Sequence, residues 1–250
     1  KCYCKSFVFT RTAAGRLRVH RELLHPETPC LNDPPIHQHI MDEEYLAGRL
    51  LSSRALDIVT RPGWTMTELN EWADSYYRIL SSYSSENSIP GQYLDLTPYN
   101  ILIDPTTAPV IFDQEWTCPE ELPLYFIFFR GVVYTLAGIS HYAAPAENIP
   151  TGIIPLAMAL VNSILPFDAG LLEESARLEE YYFGKIPLRP GQPFGHGDIP
   201  FKKNWRILYD DAIRQCQTSR DETRAALDQL AAAADHLAQE KAPYRMRLGQ

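Results

Sequence analysis

The sequence predicts an α+β protein, and three observations predict it. The first 45 or so residues alternate and are rich in aromatic and β-branched side chains, as strands do. The middle of the chain repeats its apolar residues at helical spacing around one short hairpin, and the C-terminal stretch keeps a three-four periodicity. The expected layout is a β-rich segment over 1–45, a mainly helical segment over 46–183, a Pro/Gly-rich linker over 184–203, and a long helix over 204–250. With 250 residues, 45% hydrophobic and 22% charged, the chain can bury a real core, and disordered or collagen-like classes are excluded.

At the start, Tyr3 to Thr10 alternates, Ala13-Ala14-Gly15 turns the chain, and Leu17, Val19, Arg21 and Leu23 share one face of a second strand, which makes a β-hairpin. Pro26, Pro29, Pro34 and Pro35 exclude a long helix before Ile36, and Ile36–Met41 reads as a third strand ending in Asp42-Glu43-Glu44. Thr65-Met66-Thr67-Glu68 is a capping box, and Leu69, Trp72, Ala73, Tyr76, Ile79 and Leu80 continue it as a helix to about Ser81. Ile101–Ile103 and Val110–Phe112, separated by Asp104-Pro105-Thr106-Thr107, form a second hairpin.

Two apolar runs follow, Leu124–Ile139 with Arg130 inside it and Gly152–Phe167 with Pro155 and Asn162. Both fall short of the eighteen or so clean residues that a membrane span needs, so they read as buried helices. An acidic helix over Leu171–Tyr182 precedes the linker. Beyond it, Ile213, Cys216, Arg220, Thr223, Leu227, Leu230, Ala234 and Leu237 describe a seam on a helix on the order of 50 Å long over 205–241. That seam serves self-association or partner docking as a coiled coil, or folds back on its own domain.

Lys+Arg 23 against Asp+Glu 31 leaves a net charge of −8, which argues against a nucleic-acid partner and requires any phosphate to be met locally. The five cysteines (Cys2, Cys4, Cys30, Cys118 and Cys216) form no CxxC pair. They point to unpaired thiols in a reducing compartment, hence a cytoplasmic location, and make structural zinc improbable. The chain opens at Lys1 directly in strand-like sequence and reads as a piece of a longer protein.

The segment that carries chemistry runs from Tyr93-Leu94-Asp95-Leu96-Thr97-Pro98-Tyr99-Asn100 through the hairpin to Phe112-Asp113-Gln114-Glu115-Trp116. A hairpin returns its two ends to one edge, so Asp95, Asn100 and Asp113 can converge. Phosphoryl transfer from ATP needs such a set: a carboxylate facing the attacking hydroxyl, and an amide with a second carboxylate to hold magnesium. Asp-x-Thr-Pro and Asp-Pro are also common turn formers, a local role that leaves Asn100 and Asp113 unexplained.

The arrangement resembles the catalytic and metal loops of the protein-kinase-like superfamily, and is closest to its aminoglycoside and choline kinase branch. Pro90–Asp95, Phe112–Trp116 and Phe128-Phe129-Arg130-Gly131 further resemble kinase-like modules linked to class I methyltransferases or glycosyltransferases of bacterial surface-polysaccharide assembly. The resemblance implies a reduced N-lobe over 1–45 and a kinase-like C-lobe over 46–183. It makes Asp95 the catalytic-loop Asp, Asn100 and Asp113 the Mg²⁺ ligands, and ATP the phosphate donor. Met41–Gly48 resembles the hinge between lobes, with Glu43 and Tyr45 at the adenine edge, or is an ordinary loop. Lys5 resembles the phosphate-gripping Lys, with Arg21 as its rival.

Arg130, inside an apolar helix, needs a carboxylate partner, as a structural ion pair or beside substrate. Only about ten residues separate Asp113 from the next helix, too few for a segment on which protein substrates dock, so a small-molecule or glycan hydroxyl is the expected acceptor. Glu115, Glu120 and Glu121 nearby suit a cationic or polyhydroxylated one. The sequence departs from the family where Tyr93 replaces the usual His. It also lacks a Gly-rich phosphate loop and a helix supplying a Glu for the Lys. These departures motivate the alternative, a non-catalytic pseudokinase scaffold for a neighbouring methyltransferase or glycosyltransferase. Hydrolytic chemistry at His37-Gln38-His39 or Gly195-His196-Gly197-Asp198 is a third reading.

Overall fold

The computed structural model describes residues 5–24, 35–104, 107–146, 148–150, 152–184 and 216–233. It is α+β, with small antiparallel sheets and a helical core. Residues 1–202 and 203–250 form separate compact units.

Strands β1 (Lys5–Arg11) and β2 (Leu17–Leu23) pair antiparallel from Lys5↔Leu23 to Arg11↔Leu17, so Lys5, Arg21 and Val19 share a face. Gly15 turns the hairpin with φ +79°, a conformation that costs glycine nothing. The expected third strand over Ile36–Met41 is only two residues long, and the acidic residues beyond it form a strand of their own with a different partner. β3 (His37–Gln38) pairs with a strand beyond Asp113, and β4 (Glu43–Glu44) pairs with β2. Glu43 and Glu44 are therefore the third strand of the first sheet.

β5 (Arg49–Leu50) leads directly into α1 (Leu51–Val59), whose Leu51, Ala55 and Val59 are buried. α2 (Met66–Ser81) starts where its capping box predicts: the Glu68 amide donates to Thr65 Oγ1 at 3.3 Å, and the Thr65 amide to Glu68 Oε2 at 3.0 Å. Its Leu69, Trp72, Ala73, Tyr76 and Leu80 form the buried stripe. β6 (Ser88–Pro90) follows. β7 (Ile101–Asp104) and β8 (Thr107–Ile111) are the expected hairpin, with a bulge after Leu102, and β5 extends their sheet. The chain then runs through β9 (Trp116–Thr117), the partner of β3, and β10 (Glu121–Pro123), the partner of β6.

α3 (Leu124–Gly138) is buried on nearly every side, which explains why its sequence is apolar without a polar face. α2 crosses it closely at Gly131, where a Cβ would collide with the Tyr76 hydroxyl. α4 (Ile153–Asn162) ends earlier than its apolar run, because the Asn162 side chain turns back to accept from the Phe167 amide at 3.2 Å. α5 (Ala169–Phe183) is capped by Asp168, which accepts from the Leu171 amide at 2.9 Å.

Among the described residues no helix is long and apolar enough to cross a membrane. Cys118 and Cys216 are free thiols; burial pushes the Cys118 thiol up to about 11. Residues 216–233 form an exposed helix, with Leu227 and Leu230 both open to solvent. The rest of the expected 205–241 seam, the linker, the Gly195–Asp198 segment, Cys2, Cys4 and Cys30 lie outside the described residues.

Candidate functional site

The loop carrying Asp95 and Asn100 is built from two single-turn 3-10 helices, Gly91–Tyr93 and Pro98–Asn100, on either side of Asp95. Its apolar residues Leu94 and Leu96 are fully buried, which fixes the loop on the core and leaves Asp95 between them with a side chain about one fifth exposed. Tyr76 of α2 donates its hydroxyl to the Leu96 carbonyl at 2.7 Å, and the Ile127 carbonyl of α3 lies 3.3 Å away. One phenol thus joins two helices to the loop.

Asn100 closes that loop. Its amide Nδ2 donates to the Asp95 carbonyl at 2.9 Å and to Asp95 Oδ2 at 3.2 Å, and it stands 3.4 Å from the Asp113 carbonyl. The Asn100 side chain thus touches Asp95 and the main chain of Asp113, while the Asp113 carboxylate faces Arg21 and Lys5. Burial pushes the Asp95 carboxyl up to about 6, with Asp113 and Glu115 adding to the rise and Arg130 and Asn100 opposing it.

Asp113 has a left-handed backbone, φ 51°, which Asp tolerates better than most residues. Its amide donates to Glu43 Oε1 at 3.2 Å. Its Oδ1 lies 3.2 Å from Arg21 Nη2 and 3.7 Å from Lys5 Nζ, so both candidate phosphate-gripping cations reach the same carboxylate. Lys5 also pairs with Glu115, which in turn accepts from the Gln38 amide, while Arg21 pairs with Glu43 at 2.9 Å and donates to the Met41 carbonyl at 2.8 Å.

Of the hinge candidates, Glu43 turns its carboxylate into this cluster. Tyr45 gives its main-chain amide to the Leu17 carbonyl at 2.8 Å and packs edge-on against Phe9. Arg130 is buried and finds its carboxylate in Glu179 of α5 at 3.0 Å, with Asp95 Oδ1 at 3.6 Å. Glu120 and Glu121 are exposed.

Arg21, Glu43, Asp113 and Gln114 line a small hollow of about 10 Å³, enough for one water-sized group. Two of these residues carry a buried donor without a hydrogen-bond partner, Arg21 Nε and Gln114 Nε2. Orphaned donors beside a carboxylate ask for an acceptor oxygen. Asp113 and the Asn100 side-chain carbonyl are hard oxygens of the kind magnesium takes, and Lys5 and Arg21, here paired with carboxylates, are cations of the kind phosphate takes. Among the described residues no group of three or more His, Cys, Asp or Glu side chains is arranged to hold a metal by itself, the His37–His39 segment included. A magnesium ion shared with phosphates needs only one or two carboxylates.

Sequence reasoning missed Gln38, Gln114 and Glu179. Glu179 left a trace, since it falls with Ser175 and Tyr182 on the buried stripe of an otherwise acidic helix. Compared with models of protein families, with curated proteins and with solved structures, the chain matches none.

Proposed function

We propose that the chain is a kinase-like phosphotransferase that moves the γ-phosphate of ATP to a sugar or other small-molecule hydroxyl in the cytoplasm, in a setting such as surface-polysaccharide assembly beside a methyltransferase. The first sheet with its Glu43–Tyr45 edge serves as a reduced N-lobe and the helical body as the C-lobe. Asn100 is the observation that carries the reading, because its amide ties the Asp95 carboxylate to the main chain of Asp113, residues 18 positions apart in the sequence.

In the proposed reaction Asp95 accepts a hydrogen bond from the acceptor hydroxyl and takes its proton as the oxygen attacks the γ-phosphorus. The new O–P bond forms, the bond to the β-phosphate oxygen breaks, and ADP leaves. Asn100 and Asp113 would hold magnesium, which supplies neutralisation of the charge spread over the phosphates. Lys5, Arg21 and the orphan donors of the hollow would meet phosphate oxygens. A nucleotide needs several hundred Å³, so its binding parts the Lys5–Glu115 and Arg21–Glu43 pairs.

Asp113→Asn keeps the shape and removes the charge. Phosphate transfer to a polyhydroxylated acceptor should fall by about 10³-fold or more, and full activity with magnesium would refute the metal role. The pairing of the Asp113 carboxylate with two cations favours a second reading, a pseudokinase scaffold. In either reading the exposed 216–233 helix is the proposed self-association segment, checked by sedimentation of Leu227→Asp against the parent chain.

A further inference from the structure

Helix α3 carries one charge in its buried length, and the structure surrounds it completely. Arg130 is 6% exposed and Glu179 is 1% exposed. Arg130 Nε donates to Glu179 Oε2 at 3.0 Å, and the guanidinium lies over the rings of Phe183 at 4.1 Å and Tyr134 at 4.9 Å. The second Glu179 oxygen accepts from the Tyr134 hydroxyl at 2.6 Å. One Glu179 oxygen thus holds the guanidinium through Nε, and the other is itself held by Tyr134.

What remains of the guanidinium points at the loop. Arg130 Nη1 donates to the Leu94 carbonyl at 3.3 Å and stands 3.6 Å from Asp95 Oδ1. The cost of burying both charges is repaid only when the pair's remaining donors are also used. Here those donors grip the residue before Asp95 and reach Asp95 itself.

We infer that Glu179 is a positioning residue for the Asp95 loop, acting through Arg130. Resting on the reading of Asp95 as the group that faces the acceptor hydroxyl, the inference adds a residue of α5 to that site. Glu179 holds the arginine at a distance that steadies the loop while leaving Asp95 Oδ1 outside a direct hydrogen bond. Without that anchor the guanidinium is free to close on Asp95 and occupy the oxygen that the hydroxyl would use.

Two measurements test it. In the kinetic one, Glu179→Gln lowers kcat for phosphate transfer about tenfold and leaves KM for Mg·ATP unchanged, a split that a general loss of packing would not give; unchanged kcat overturns the inference. The second is a thermal cycle of Glu179→Gln, Asp95→Asn and the double variant, which needs no activity. Each single variant leaves Arg130 one carboxylate, whereas the double leaves a buried cation with none, so its midpoint drops about 4 °C beyond the sum of the singles. Additivity within about 1 °C overturns the inference. If the parent chain transfers no phosphate, the kinase reading fails and the cycle alone decides. If Glu179→Gln does not fold, Tyr134→Phe, which loosens Glu179 while keeping the ion pair, replaces it in the kinetic measurement, where an unchanged kcat likewise overturns the inference.

Discussion

Asp95 shows how one residue's setting makes a stability that depends on pH. Its carboxyl ordinarily titrates at 3.8 and is pushed up to about 6, chiefly by burial. A raised carboxyl binds its proton more tightly in the folded chain, so the stabilising contribution is complete below the ordinary value and is lost as pH climbs through about 6. Asp95→Asn, neutral at every pH, has no such dependence at this position. Between pH 4 and 7.5 the parent chain should lose up to about 2.5 kcal/mol of unfolding free energy relative to the variant, read by urea titration at several pH values. The side chain is a fifth exposed, so this is the upper bound. A gap that stays flat across the range would mean the carboxyl is hydrated.

At the scale of elements, the capping box of α2 is a local device with a local cost. Thr65→Ala removes the oxygen that receives the Glu68 amide and should cost about 1 kcal/mol in urea unfolding; no measurable loss would show the helix start is held by packing alone. α2, α3 and the β7–β8 hairpin were legible in the sequence because each carries its own pattern over enough residues to repeat. α1 left little trace, since nine residues, three of them Leu51-Ser52-Ser53, give about two and a half turns and no capping side chain. β3, β5, β6, β9 and β10 are two or three residues long, and no alternation shows in so few. The site divides the same way. Asp95, Asn100 and Asp113 lie on one loop-and-hairpin unit, so their nearness follows from spacing alone. Glu179 and Gln38 reach Arg130 and Glu115 across 49 and 77 residues, a relation that only tertiary packing creates.

For the molecule as a whole, an acidic chain of net charge −8 gathers two cations, Lys5 and Arg21, at one carboxylate. The proposed donor would be met there and not by a general positive field. Mg·ATP at one hundred times its dissociation constant should stabilise the chain by about 2.7 kcal/mol, a midpoint rise of roughly 5–10 °C in a thermal scan. No rise, with or without magnesium, would leave the scaffold reading. The tethers of the first sheet have a mechanical corollary. Lys5 and Arg21 come from opposite strands of the β1–β2 hairpin, and both fasten it to the body through Asp113. Any cation that settles on that oxygen competes with both, while Lys5 keeps Glu115, so seating the ion slackens the hairpin's latch without releasing it.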